Sequence, residues 1–422
     1  MLKKNSGSGT KFKRNVFTLM MGTLVAQAIP IAVSPILTRL YSPGDFGMLT
    51  LFVSVFAVLS AISALRYELA IMQPELDEDA VALVVLSLII TAGFCSALVA
   101  LITLFGDRIV ALLGIQGGTW LYFIPLGVFF GGAVQALGYW HSRHQRFQRI
   151  SQGKIAQGMA TVGIQCGANS LALGSGLISG YVGGLGISLF VFCRGVWKNE
   201  KDIFKKVTFD SLRRNARTYK DFPKYSVIGA LADNASLQMP VFILNRFFDA
   251  HSTGCFGLTF RVLNLPMALA ASSLSQVLYQ RLSTMQYSEP EAVRSLILKI
   301  FLLLLVAMVP VIGVAAFFGE PLFALVFGEP WRVAGSMAGV LVFAVAIRFA
   351  VSPLSSVLAL SQNIRLGVIW QTTYFFTISI TLYIFSDKSL DLFLRAFVVH
   401  EMFLYGFYLY LILRGSELGK LN

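Results

Sequence analysis

The sequence predicts an all-α integral membrane protein, with about twelve transmembrane helices in two six-helix bundles. Three observations carry this. Of the 422 residues, 56% are hydrophobic and 13% charged, against roughly 25% charged in a soluble domain. The apolar residues gather into runs close to the ~20 residues that cross a hydrocarbon core. The stretch ILTRLYSPGDFG, Ile36 to Gly47, returns in weaker form as ILNRFFDAHSTGCFG, Ile243 to Gly257. Each half therefore opens on a similar helix-turn-helix unit, as in transporters built from internal repeats.

In chain order the predicted spans are 15–40, 46–70, 80–105, 119–141, 154–174, 176–197, 222–247, 254–282, 293–318, 333–361, 365–386 and 390–414. The short Gly174-Ser175-Gly176 turn also fits one long broken helix. Before the first span, Lys3, Lys4, Lys11, Lys13 and Arg14 precede Ala26-Gln27-Ala28, a cleavage-site-like triplet. The apolar run continues to Leu37, long enough to span, which favours a retained helix over a signal peptide.

The net charge of +13 lies between the apolar runs. The N-terminal cluster, the Arg143, Arg146, Arg149 and Lys154 loop, and the segment 198–224 share one predicted side. The other side holds Arg39, Arg108, Arg246, Arg332, Lys388 and, at its edge, Arg395. The positive-inside rule then places both termini in the cytoplasm. The charge is an orientation signal, and no nucleic-acid partner is expected. The basic segment divides the chain into a bundle over 1–197, a cytoplasmic linker over 198–221 and a second bundle over 222–422. Its cations also suit acidic headgroups, which makes membrane lipids expected partners.

The sequence has no GxxxxGK(S/T), HExxH or Gly-rich strand-helix fingerprint, and its predicted outer loops are short. This argues against ATP-driven transport by the chain alone and against an enzyme such as a polysaccharide polymerase or ligase. Cys95, Cys166, Cys193 and Cys255 show no metal or redox spacing and read as packing residues. No bound cofactor or metal is expected. The pairs Gly127/Gly131, Gly163/Gly167 and Gly335/Gly339 have close-packing spacing.

Charges inside apolar spans cost about 2.5–3.5 kcal/mol at a helix centre, so each one is a candidate. Arg66 and Glu68 fall near the inner end of the second span, Asp233 in the seventh, Arg261 in the eighth, Arg348 in the tenth, and His400 and Glu401 in the twelfth. On one continuous helix Arg66 and Glu68 point apart and do not pair. Arg66 fits an orientation anchor as well as a cavity. Arg348 is too deep to snorkel and reads as a cavity or ion-pair residue, with Glu401 as a partner for an arginine of its bundle. His400 reads as packed. Arg261 can snorkel or face a cavity. Arg39 and Arg246 fit helix C-terminal caps or substrate contacts. Gln27, Asn234, Gln238 and Gln276 can bond between helices or line a cavity. In the repeat, Arg39 aligns with Arg246 and Gln27 with Asn234. Asp45-Phe46-Gly47 aligns with Cys255-Phe256-Gly257 after a few inserted residues.

ILTRLYSPGDFG at 36–47, LRYELAIMQPELDEDA at 65–80 and RVLNLPMALAASSLSQVLYQRLS at 261–283 resemble segments of the O-antigen and capsule flippases. These form the polysaccharide-exporter branch of the multidrug/oligosaccharidyl-lipid/polysaccharide exporter superfamily. The resemblance implies transfer of an undecaprenyl-pyrophosphate-linked oligosaccharide from the inner to the outer leaflet of the bacterial inner membrane. It implies a V-shaped pair of bundles with a cationic central cavity lined by spans 1, 2, 7 and 8. Arg66 and Arg261 fall on those spans; Arg348 does not. Other polysaccharide-assembly proteins are expected partners, and coupling to a proton or sodium gradient stays open. The alternative is a drug or cation antiporter of the same superfamily, which needs a cavity carboxylate such as Asp233.

Overall fold

The computed structural model describes residues 6–114, 118–170, 175–264, 290–359 and 364–417, which form helices joined by short connections, with no strand among the described residues. The helices are α1 (Ser6–Leu40), α2 (Pro43–Ser60), α3 (Tyr67–Ala70), α4 (Asp77–Leu113), α5 (Phe123–Arg143), α6 (Phe147–Ser170), α7 (Gly176–Lys205) and α8 (Phe209–Thr218), followed by α9 (Val227–Phe247), α10 (Ala250–Leu263), α11 (Pro290–Phe327), α12 (Arg332–Val351), α13 (Ile364–Ile384) and α14 (Leu390–Glu417). Among the described residues, nine helical stretches are long and apolar enough to cross a membrane. The chain is a multi-pass membrane protein. Of the predicted eighth span, 254–282, the part after Asn264 lies outside the described residues.

The chain forms two compact units, Met1–Tyr41 with Leu51–Asn234, and Ser42–Thr50 with Ala235–Asn422. In the first, α6 packs on α1 and α7, and α5 on α4 and α7. Glycines permit the closeness, since a Cβ at Gly184 would collide with Thr161 of α6. Gly127 and Gly131 likewise face Phe52 and Phe56, whereas Gly163 and Gly167 have no neighbour within contact distance among the described residues. Among the described residues the expected close packing at this second pair is thus not formed. Trp140, Phe192, Leu83 and Ile71 centre the buried core.

The predicted second span, 46–70, is not one helix. It stops at Ser60, and Leu65 (φ 50°) and Arg66 (φ 65°) are left-handed before the single turn of α3. The segment 198–221, predicted as a connector, is mostly helical. α7 continues to Lys205, and Thr208 and Ser211 form a reciprocal capping box that starts α8. α8 then lies against α4.

In the second unit α12 is central and packs on α10, α11 and α14. Gly335 of α12 abuts the Gly319 backbone of α11, and Thr259 of α10 donates to Ala334 O at 2.8 Å. The start of α2 belongs to this unit, with Phe46 edge-on to Trp331 at 4.9 Å.

The two repeats match without the expected insertion. α1 ends at Leu40 and α2 starts after Ser42; α9 ends at Phe247 and α10 starts after Asp249. Asp45 N–H donates to Ser42 Oγ at 3.2 Å, and Ser252 N–H donates to Asp249 Oδ1 at 2.5 Å. This ungapped register keeps Gln27 with Asn234 and Arg39 with Arg246, and pairs Pro43 with Ala250 and Gly47 with Gly254. The contacts are reciprocal in the same register. A Cβ at Gly47 would strike Ala250 O, and a Cβ at Gly254 would strike Pro43 O.

Candidate functional site

The site grows from the turn that ends α2. A left-handed conformation at a non-glycine residue is strained, by about 1–3 kcal/mol, and persists only where its surroundings enforce it. Here the chain that leaves the turn is held. Tyr67 is buried and its hydroxyl donates to Ala216 O of α8 at 2.9 Å. Ala70 and Ile71 are fully buried. Arg143 of α5 donates to Glu75 O at 3.0 Å, to Ile71 O at 3.4 Å and to Asp77 Oδ1 at 2.9 Å.

The turn brings Arg66 and Glu68 together, with Arg66 Nη1 3.7 Å from Glu68 Oε1. The helical expectation that they point apart fails because the chain is not helical there. Glu68 is only 2% exposed, and Gln135 Nε2 donates to its Oε1 at a long 3.5 Å. Tyr139, one turn along α5, lies within electrostatic range of both charges. Asp233 of α9 is exposed and within range of Arg66. Arg66 Nε and Glu68 Oε2 are buried without a hydrogen-bond partner among the described residues. The result is a partly exposed guanidinium, loosely neutralised, beside a buried carboxylate, an amide and a phenol. Such a group has donors to spare for an anionic oxygen.

Arg348 has no such capacity. It pairs with Glu401, which is fully buried, and donates to the Tyr374 hydroxyl at 2.7 Å. Tyr374 in turn donates to Glu401 Oε1 at 2.7 Å. The rings of Phe260, Phe397 and Tyr405 surround the guanidinium at 5.7–5.8 Å, within cation–π range. The expected Glu401 partnership is present, and it commits Arg348 to the core of the second unit. His400 is buried against Thr377 at 3.0 Å, as its packed reading expects.

The remaining candidates are dispersed. Arg261 is half-buried in the last turn of α10. Arg39 is exposed and donates to Pro35 O at 2.8 Å, which satisfies a carbonyl at the end of α1. Arg246 is exposed in the last turn of α9. Gln27 is exposed on α1, and the Asn234 amide donates to Ala230 O at 2.8 Å within α9. Gln276 lies outside the described residues. Gln135 and Tyr139 were not among the sequence candidates. Their one signal is polar spacing of one turn within an apolar span.

A sequence profile described as "Polysaccharide biosynthesis protein" matches residues 36–336. The chain belongs to the polysaccharide biosynthesis protein family. The match includes the first repeat, the Arg66–Glu68 turn and α8. No curated protein matches this family member in sequence. Solved structures share its fold at low identity. An inward-facing multidrug resistance MATE family transporter of the MOP superfamily has a TM-score of 0.72 at 14% identity, covering 96% of this chain and 98% of that one. The lipid II flippase MurJ, in an inward closed conformation, gives 0.67 at 14%, covering 98% and 91%. A MOP superfamily transporter from Pyrococcus furiosus gives 0.59 at 12%, covering 97% and 95%. The polysaccharide biosynthesis protein thus has the fold of these transporters.

Proposed function

We propose that this chain is a secondary flippase that moves an undecaprenyl-pyrophosphate-linked oligosaccharide from the inner to the outer leaflet of a bacterial inner membrane. The observation that carries the proposal is the Arg66 turn. It is a strained, incompletely satisfied arginine inside the segment that matches a polysaccharide biosynthesis family. A pyrophosphate cannot enter hydrocarbon unaided, and a guanidinium fork suits its oxygens. In this reading Arg66 receives the pyrophosphate, Glu68 limits its charge, and Gln135 and Tyr139 offer hydrogen bonds. Alternating access moves the load, with both termini cytoplasmic. Coupling to a proton or sodium gradient would use the neighbouring carboxylates, Glu68 and Asp233. No catalytic step is involved. A solved relative of the same fold is a lipid II flippase, which supports the substrate class.

The test is leaflet translocation of a defined lipid-linked oligosaccharide in proteoliposomes. Protein-dependent movement is expected, and none with correctly inserted protein overturns the proposal. The second reading, a drug or cation antiporter, is favoured by the exposed Asp233 carboxylate. Cationic-dye efflux without lipid translocation would establish it.

A further inference from the structure

The charges of α8 separate by face. On the inner side Asn215 is buried and its amide donates to Asp79 Oδ1 at 2.9 Å, while Ala216 and Tyr219 pack on the core of the first unit. Two flanking cations are also engaged. Arg214 Nη2 meets Asp79 at 2.6 Å, and Lys206 Nζ meets Glu78 at 3.5 Å. The outer side differs. Phe209, Arg213 and Arg217 recur every fourth residue, so they share one helix face, and all three are exposed. Lys220 and Lys224 follow, also exposed. None of these four cations has a carboxylate partner among the described residues.

Exposed aromatic rings accompany the cations, with Phe209 78%, Trp197 76% and Tyr225 65% exposed. Their position along the chain sets their depth. The apolar span of α7 ends at Trp197, and the next begins at Phe222. α7 continues from Trp197 to Lys205, about 12 Å at 1.5 Å per residue. α8 is therefore tied at both ends to membrane spans and held near headgroup level. Amphipathic rings prefer that zone, and cations there meet lipid phosphates.

We propose that this outer face of α8 and the segment after it binds the anionic phospholipid headgroups of the adjacent leaflet, with Arg213, Arg217, Lys220 and Lys224 as the anion contacts and Phe209 and Tyr225 as interfacial anchors. Charge complementarity fits any acidic partner, and the headgroup depth with its exposed aromatic rings favours lipid over an acidic protein, which would need neither of these two. The proposal does not depend on the substrate assigned above.

The experiment uses full-length protein in nanodiscs of phosphatidylethanolamine with graded phosphatidylglycerol. Retained lipid is measured by native mass spectrometry, and folding by thermal melting. Wild type should retain phosphatidylglycerol selectively, and less so as salt rises. The variant Arg213→Gln/Arg217→Gln/Lys220→Gln/Lys224→Gln should lose this preference, by roughly fivefold for each cation removed. If that variant melts early, the double variant Arg213→Gln/Arg217→Gln serves in its place. Arg213→Lys/Arg217→Lys should keep the preference, because the attraction is one of charge. Equal phosphatidylglycerol retention by a normally melting glutamine variant overturns the proposal. So does α8-dependent capture of an acidic protein in native membranes without any lipid preference.

Discussion

Arg66 and Arg348 are both arginines in apolar sequence, and each has a glutamate beside it. Their surroundings differ in how completely the charge is satisfied. Arg348 has a fully buried carboxylate, a tyrosine bridging both partners and three aromatic rings around it. Arg66 has one carboxylate at 3.7 Å, an orphaned Nε and a backbone held left-handed. A closed network fixes a core, whereas an open one retains affinity for something outside it. An intramembrane charge is therefore better classified by its unmet hydrogen bonds than by its depth.

The largest expected effect lies on the closed side. Glu401→Gln leaves the Arg348 guanidinium without its counter-charge, at a cost of about 3–5 kcal/mol. The detergent-solubilised variant should melt well below wild type or fail to accumulate. Replacing both partners, Arg348→Leu with Glu401→Leu, should recover part of the loss. A Glu401→Gln protein that melts like wild type would erase the contrast.

Arg66→Ala should reverse the pattern, abolishing translocation while shifting the melting temperature little. Arg66→Lys should fall between, because a point charge replaces a fork. Complementation of a flippase-null strain, normalised to membrane protein, reads this. Full transport by Arg66→Ala at equal protein level would reduce the arginine to an anchor.

Gln135→Leu should have a smaller effect, a several-fold slower translocation with normal melting, because its 3.5 Å bond to Glu68 is long. Arg39→Gln should change least. Its bond is to its own helix end and is exposed, so stability should stay within about 0.5 kcal/mol and transport should match wild type. A loss of transport in Arg39→Gln would move the site toward the repeat ends.

What was legible in the sequence follows the range of the interactions involved. Helices declare themselves by apolar length, and the Arg348–Glu401 pair by the cost of leaving either charge alone. The Arg66 turn was not legible. Nothing in Leu65-Arg66 favours positive φ; the conformation is imposed by Tyr67 reaching Ala216, far along the chain. Gln135 enters the site only because that turn swings Glu68 toward α5. In the repeat, the Phe-Gly string drew the alignment off register. The matching feature is the cap, in which the Asp45 N–H donates to the Ser42 side chain and the Ser252 N–H to the Asp249 side chain, so the residue types differ while the hydrogen bonding agrees.

The bond from Tyr67 to Ala216 also decides where the polypeptide can be cut. A polar stretch between two groups of membrane helices invites insertion of a reporter domain or division into co-expressed fragments. A break at Lys198 would separate α8 from the half that contains Tyr67 and Asp79, although its contacts lie there. A break after Tyr219 would leave α8 with its own side. Fragments divided at the second position should reassemble where those divided at the first do not.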